Sequence, residues 1–181
     1  MEKIKILGIS GSLRKDSLNT KLLKCAGKVL SENAEFDIVD ISGVPIYNGD
    51  VEALGASQAV KDLEEKIQNA DAVLIVTPEY NYSIPGVLKN TIDWLSRSKV
   101  LNHKIIAIMG ASPGMLGTVR AQLHLREMLL FMRAKIFSEK EFYFSRADAR
   151  IDESGELKDE NDKKFLKDFM DGFVKFIEEN K

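Results

Sequence analysis

Residues 78–83 read Pro78-Glu79-Tyr80-Asn81-Tyr82-Ser83, which sets two aromatic rings beside an amide, a carboxylate and a hydroxyl. Aromatic faces and amide groups at that density suit a flat heteroaromatic ligand. A second cluster reads Ser10-Gly11-Ser12-Leu13-Arg14-Lys15-Asp16-Ser17-Leu18-Asn19-Thr20. Ser10, Ser12, Ser17, Asn19 and Thr20 carry neutral donors, and the guanidinium of Arg14 is a planar fork that matches phosphate oxygens. At the start of a helix such groups add to free backbone amides and the positive end of the helix dipole, a natural place for an anion. Ser17 and Asn19 are also ordinary helix caps, and one of them is expected to cap. A third cluster, Gly110-Ala111-Ser112-Pro113-Gly114-Met115-Leu116-Gly117, reads either as a flexible turn or as a place where glycines let a ligand approach the backbone.

Spacing excludes two common phosphate motifs. A Walker loop needs four residues between its glycines and then Lys-Ser/Thr, but Gly8 and Gly11 lie too close and Lys15 is followed by Asp16. The dinucleotide fingerprint needs three glycines, and only Gly8 and Gly11 are present. The cradle therefore suits a single phosphate, and a flat ring with one phosphate points to FMN. Amides of the third cluster near N1 and O2 of a flavin would stabilise its reduced anion.

Each cluster follows a short apolar run of the kind that forms a strand buried on both faces. Residues 3–9 precede the first, 72–77 the second and 104–109 the third. Each cluster is followed by helical spacing: residues 20–32 with Leu22, Leu23, Ala26, Val29 and Leu30 inward, a segment opened by Pro85 and Gly86, and residues 118–133. In an open parallel sheet ligands bind beyond the carboxyl ends of the strands, so three such loops at one edge define a single candidate site. Residues 36–41 read as a second strand, 57–69 as a helix, and 136–137 with 142–144 as a last strand broken by Ser138-Glu139-Lys140-Glu141. Residues 152–156 form a turn, and 161–180 an amphipathic helix on Phe165, Phe169, Phe173 and Ile177. Alternating strands and helices with right-handed crossovers predict one domain over residues 1–181. The expected fold class is α/β, a three-layer sandwich with a five-stranded parallel sheet in the order 2-1-3-4-5.

The chain resembles the NADPH-dependent FMN reductase family, especially its quinone and chromate reductase branch. The similarity lies in Ser10-Gly11-Ser12-Leu13-Arg14-Lys15 with Ser17 and Asn19, in residues 78–94 through Leu95-Ser96-Arg97, and in Arg120-x-Gln122-x-His124-Leu125-Arg126. It spans residues 4 to about 148. The resemblance implies a flavodoxin-like fold, bound FMN and reduction by NADPH or NADH. In such proteins the residues matching Ser10, Ser12, Arg14, Ser17 and Asn19 hold the phosphate. Those matching Pro78, Glu79, Tyr80, Asn81, Tyr82 and Ser83 line the ribityl chain and ring, and Ser112, near Gly114, adjoins the ring. Thr118-Val119 departs from the glycine pair common there, which weakens the expectation of close backbone packing at that turn. Dimers, often tetramers, are also implied, with the Pro45-Ile46-Tyr47-Asn48-Gly49 loop approaching the neighbouring flavin.

Composition narrows the remaining classes. At 181 residues and 44% hydrophobic the chain can bury one substantial core. A formal charge of −2 gives no field for nucleic acid or anionic lipid. Cys25 is the only cysteine, which rules out intramolecular disulfides and cysteine-based metal sites, and a small core residue is expected there. His103 and His124 have no acidic neighbours at metal-ligand spacing. No apolar stretch reaches the roughly 20 residues needed to span a bilayer, and the start of the chain leaves no room for a signal peptide, so the cytoplasm is expected. Catalysis needs no protein nucleophile. Glu79 is read as positioning the ring or ribityl chain, directly or through its backbone, and His124 as an interface or helix-packing residue. The expected function is an FMN-dependent NAD(P)H oxidoreductase that reduces quinones or similar small acceptors such as chromate, azo compounds or free flavin. The alternatives are an FMN-binding electron carrier or redox sensor without turnover, and a subunit whose FMN only supports a docking surface. Carriers usually show a strongly acidic surface, whereas 28 acidic residues stand against 26 basic ones here.

Overall fold

The structure is a computed structural model and describes residues 3–181. Strands β1 (Ile4–Ser10), β2 (Ala34–Val39), β3 (Ala72–Val76), β4 (Ile105–Ala111) and β5 (Lys135–Ile136) run parallel in the order β2-β1-β3-β4-β5. Every residue of β3 and β4 is buried. This is why those runs carry no polar alternation: with helices on both faces, no side chain of a central strand meets water. The last strand arrives in two pieces. β5 pairs with Ile105 and Ile106, the charged segment after Phe137 leaves the sheet, and β6 (Tyr143–Phe144) returns against Gly110 and Ala111.

Side chains alternate between two cores. On one face Ile4, Ile6, Leu74, Ala107 and Met109 pack against α1 (Leu18–Lys28) and the C-terminal helix, Glu160–Asn180. On the other, Leu7, Ile9, Val73, Ile75 and Ile108 pack against the helices Gln58–Asn69, Gly86–Ser98 and Val119–Phe131. In chain order the helices are α1, α2 (Gly49–Ala53), α3 (Gln58–Asn69), α4 (Gly86–Ser98), α5 (Val119–Phe131), α6 (Ala147–Arg150) and α7 (Glu160–Asn180). None of the described helices is long and apolar enough to cross a membrane. Cys25 is buried in the first core and its Sγ donates to the Gly155 carbonyl at 3.1 Å. Burial, followed by the nearby Glu156 charge, pushes its thiol pKa up.

Several boundaries differ from expectation, each for a local reason. α1 starts at Leu18 because Ser17, in extended conformation, accepts from the Thr20 amide as N-cap. It ends at Lys28, four residues early, where the chain turns through Ser31 to enter β2. β2 stops at Val39 because Asp40 bends back to accept from both the amide and hydroxyl of Ser42. α2 is an additional helix, capped by Asn48. In α7 the buried row is Leu166, Phe169, Met170, Phe173, Val174 and Ile177, while Phe165 is 45% exposed at the margin. Phe165 still stacks on Phe142 with centroids 4.7 Å apart.

Register fixes where the loops emerge. Ile9 stands beside Val39, Ser10 beside Val76, and Val76 beside Met109. The carboxyl ends of β1, β3 and β4 are thus nearly flush, and the three candidate loops leave the same edge. At that edge a Cβ on Gly110 would lie 1.8 Å from the Thr118 Oγ1 and 2.5 Å from the Thr77 carbonyl oxygen. The close packing that Thr118 was expected to weaken is present, with Gly110 supplying the room. Gly86 opens α4 with nothing near its missing side chain. Gly110→Ala should therefore cost about 3 kcal/mol by overpacking against backbone. Gly86→Ala should stabilise by about 0.4–1 kcal/mol through the unfolded chain. Urea unfolding of both variants checks the pair, and equal effects would contradict the packing described.

Candidate functional site at the carboxyl edge of the sheet

Ser12, Arg14, Ser17, Leu18 and Asn19 from the first loop meet Pro78, Glu79 and Tyr80 from the second and Ala111, Ser112 and Pro113 from the third around one cleft of about 80 Å³. The donors in it are in usable states. Ser17 Oγ accepts from the Thr20 amide at 3.3 Å, which leaves its own proton free to donate outward. Ser12 Oγ is likewise only an acceptor, from the Arg14 amide at 3.4 Å. The first-turn amides of Leu18 and Asn19 make no hydrogen bond among the described residues, as expected of helix-start donors. Capping and ligand binding by Ser17 are thus compatible. Two buried hydroxyls, two free amides and a guanidinium form a donor set of the size and sign a single phosphate needs, so the residues present fit the phosphate end of FMN.

Other expected residues play supporting parts. Ser10 and Thr20 share one hydrogen bond between their hydroxyls at 2.7 Å, beside a neighbouring depression lined by residues 38–41. Asn19 is buried and its side-chain amide bonds both polar groups of Ala111: Nδ2 donates to the carbonyl at 2.9 Å, and Oδ1 accepts from the amide at 2.8 Å. Its side chain joins the first loop to the end of β4. Ser112 Oγ accepts from the Gly114 amide at 3.1 Å, and Gly114 lies exposed on the third loop.

The second loop turns back on itself. Tyr80 and Ser83 exchange both backbone hydrogen bonds, at 2.9 and 3.0 Å, around Asn81 and Tyr82. Both central residues have positive φ, 51° and 65°, the signature of a type I′ turn. That conformation is unusual for a residue as bulky as tyrosine. It leaves the Tyr82 ring 66% exposed and away from the cleft, with the Arg120 guanidinium 4.1 Å from its centroid. Asn81, Tyr82 and Ser83 therefore face α5 or solvent, while Pro78, Glu79 and Tyr80 reach the cleft wall.

Glu79 does something the sequence does not announce. Its carboxylate accepts from the amides of Arg120 (2.9 Å) and Ala121 (3.2 Å) and from Arg120 Nη1 (3.2 Å). It caps α5 from another loop, because Thr118 at the N-cap makes no capping bond and its hydroxyl instead accepts from Gln122 Nε2 at 3.0 Å. The motif from Arg120 to Arg126 now has a physical reading. Arg120 grips Glu79 and Tyr82, buried Gln122 also donates to the Phe142 carbonyl at 2.9 Å, and Leu125 is core. His124 is exposed rather than packed, with its Nδ1 3.1 Å from Ser83 Oγ. Arg126 keeps its Nε and Nη2 buried without a hydrogen-bond partner among the described residues. Among the described residues no cluster of His, Cys, Asp or Glu could hold a metal.

Beside the site, residues 45–54 are strapped onto α4. The Pro45 carbonyl accepts from Asn90 Nδ2 and Trp94 Nε1, both at 2.8 Å, and Asn90 Oδ1 accepts from the Tyr47 amide at 2.7 Å. Tyr47 packs edge-on to Trp94 and donates its hydroxyl to Glu52 at 2.7 Å; Glu52 also accepts from Arg97 Nε. This rigid strap carries Ile46 and Leu54 outward, 82% and 90% exposed.

Comparison with known proteins agrees with this geometry. Residues 4–149 match the model of the NADPH-dependent FMN reductase family. The chain is 45% identical to an NAD(P)H-dependent FMN reductase of Pseudomonas aeruginosa over 91% of its own length and 90% of that protein's. It is 37% identical to a quinone reductase of Escherichia coli, covering 98% of this chain and 97% of the relative. Among solved structures it is similar to a flavoenzyme NAD(P)H:(acceptor) oxidoreductase from Paracoccus denitrificans, with a TM-score of 0.90 and 38% identity over 98% of each chain. An archaeal flavodoxin, at 13% identity and a TM-score of 0.66, shares the fold.

The strap makes a prediction about pH. The hydrogen bond from Tyr47, followed by that from Arg97, holds the Glu52 carboxyl below its ordinary 4.5, and the same bond to Glu52 raises Tyr47 above 10.0. A depressed carboxyl stabilises above its unfolded pKa and loses that contribution as pH falls through the folded value. A raised phenol stabilises below its unfolded pKa and loses that contribution as pH rises through the folded value. The melting temperature of the parent minus that of Glu52→Gln should be constant between those limits and shrink as pH falls below 4.5. A difference that stays flat into acid would contradict the strap.

Proposed function

The chain belongs to the NADPH-dependent FMN reductase family, and on that footing we propose that the three-loop cleft is its FMN site. It is an FMN-dependent NAD(P)H oxidoreductase of the quinone and flavin reductase type. Bound FMN supplies a ring that takes a hydride from the nicotinamide nucleotide and passes two electrons to a small acceptor. The observation that carries the assignment of the site is the convergence of Ser12, Arg14, Ser17, Tyr80 and Ser112 on one cleft. Ser12 and Ser17 donate hydroxyl protons to the phosphate, the amides of Leu18 and Asn19 donate along the helix axis, and Arg14 covers the charge from the solvent side. Ser10, Thr20 and the Asn19 side chain hold that loop in shape. The backbone of residues 78–80 and the Tyr80 ring line the ribityl chain and ring, with Ser112 opposite. The Glu79 charge is paired with the Arg120 guanidinium and solvated by two helix amides. The donor nucleotide, NADPH or NADH, and acceptors such as quinones, chromate, azo compounds or free flavin would reach bound FMN from the open side of the cleft. The single buried Cys25 suits work in the reducing cytoplasm.

We also assign the outer face of α4 and α5 to a second copy of this chain, as a homodimer that can pair further into a tetramer. Leu123, Leu130 and Phe131 are exposed on α5, and Phe131 borders a groove of about 370 Å³ with Ile92, Met128 and Met132. A two-fold axis sets each Phe131 against the partner's groove and brings the strapped Ile46 and Leu54 toward the neighbouring site. Phe131→Asp should leave monomers in light scattering where the parent gives dimers, and a monomeric parent at micromolar concentration would reject the assignment.

The phosphate assignment is tested by charge. Arg14→Ala removes a charge-assisted contact worth roughly 1.5–3 kcal/mol, which lowers FMN affinity about 10- to 150-fold. Ser17→Asp keeps an oxygen for the Thr20 amide, so apo-protein melting should barely change. It also sets a carboxylate against the phosphate, a like-charge pair costing up to roughly 4 kcal/mol before screening, so affinity should fall on the order of a hundredfold. Normal FMN binding by a folded Ser17→Asp protein would move the phosphate elsewhere.

A further inference from the structure

We propose that the apolar depression between the first loop and the start of α4 is the seat for the adenosine half of the donor nucleotide. The inference rests on the FMN reading above and adds to it a place for the end of NADPH or NADH that does no chemistry. The depression holds about 370 Å³ and is walled by Leu13, Arg14, Tyr80, Pro85, Gly86 and Val87. Ser12, Arg14 and Tyr80 line both it and the FMN cleft, so the two adjoin. Leu13 and Tyr80 are 52% and 44% exposed, which leaves apolar surface for a ligand to cover. Gly86 adds no side chain to the wall, and a Cβ placed on it meets nothing within 4 Å.

The chemistry of the walls selects the occupant. A nucleobase presents a flat face that stacks on an aromatic ring whatever the base. Tyr80 offers such a ring, with Leu13, Pro85 and Val87 around it. The phosphates attached to the adenosine call for cations. Arg14 and Lys15 stand exposed on the first loop, and their side chains have no partner among the described residues; Asp16 is the acid next in sequence. With five N–H donors, the Arg14 guanidinium can face the FMN phosphate and the donor's phosphates together.

Position excludes the other small molecules of the reaction. The phosphate donors of the FMN site, Ser17 and the amides of Leu18 and Asn19, border the cleft and not the depression. An acceptor must touch the flavin ring, yet no described residue of the third loop lines the depression. A dinucleotide differs from both, because its nicotinamide meets the ring while its adenosine lies well away from it. The chain has no dinucleotide fingerprint to hold that remote half. An apolar seat with cations at its rim supplies the hold, and binding energy from a non-reacting part of a substrate can keep the reacting end in place.

Filling the depression from Gly86 tests the seat. Gly86→Leu and Gly86→Phe place graded bulk on a wall where a Cβ has room, and Gly86→Ala is too small to reach across. In FMN-loaded protein, KM for NADH and NADPH should rise about threefold in Gly86→Leu and about tenfold in Gly86→Phe, with kcat retained because only uniform binding is lost. Reduced nicotinamide mononucleotide lacks the adenosine, and its KM should stay within about twofold of the parent's in every variant. Calorimetry should show 5′-AMP binding to the loaded parent and to Gly86→Ala but not to Gly86→Phe, a readout independent of turnover. Unchanged KM for both dinucleotides in folded Gly86→Phe would overturn the proposal, as would equal weakening of the mononucleotide or a loaded parent that binds no AMP. A Gly86→Phe protein that scatters as a monomer where the parent is a dimer would give the depression to the second copy, and so overturn it too. FMN titration of the parent keeps the two readings apart. A parent that binds FMN but treats NADH and its mononucleotide alike loses only this seat, whereas one that binds no FMN loses the site itself.

Discussion

The Asn19 side chain bonds both the amide and the carbonyl of Ala111, and the candidate site is organised around that pair. Gly110 and Ser112 donate their amides toward β6, so the polar groups of Ala111 face the other way, toward β3. There the sheet has already ended: Thr77 makes the last bond, to Met109, and the chain departs through Pro78. A buried peptide with neither partner would cost free energy comparable to lost hydrogen bonds. Asn19 supplies both partners and so extends the sheet by one side chain. In doing so it ties the start of α1 to the end of β4 and closes a ring of three loops, with Gly11 bound through its amide to Val76. A cleft built this way is held by buried bonds instead of depending on its ligand for shape.

The same logic explains why several residues expected at the ligand also hold the loops together. Ser10 with Thr20, Asn19 with Ala111 and Glu79 with α5 each use their polar atoms on the protein. Among the described residues, Ser12, Ser17, Arg14 and the first amides of α1 keep donors free. A monophosphate needs few donors, and a two-electron carrier gains from a loop geometry that does not change between half-reactions. The chemistry belongs to the cofactor, and the chain contributes a rigid edge with one open side.

Much of this was legible in the sequence. The uninterrupted apolar runs of β3 and β4 specify strands covered on both faces, and their regular alternation with helices leaves the observed strand order as the simplest topology. Flush strand ends then gather residues 10–20, 78–83 and 110–117 without further information. What was not legible is where side chains of opposite character meet across loops. Asn19 reads as a phosphate donor or a cap, and nothing local says that residue 111 lacks partners. Glu79 reads only as positioning the ring or ribityl chain, because its partner, the start of α5, lies some forty positions away. The signal that could have exposed it is negative: Thr118 follows Gly117 at φ +63° and is followed by no acidic residue in the first turn, so α5 lacks a local anionic cap. α2 escaped notice because five residues carry no periodicity, and Phe165 because a stripe of phenylalanines looks more regular than the buried row it borders.

The account stands most directly on electron flow through this cleft. In an anaerobic cuvette, protein loaded with FMN should be bleached by one equivalent of NADPH or NADH per flavin. One equivalent of a quinone should then restore the oxidised spectrum. Flavin that stays yellow with both nucleotides, or bleached flavin that no quinone reoxidises, would contradict the oxidoreductase reading however tightly FMN is held.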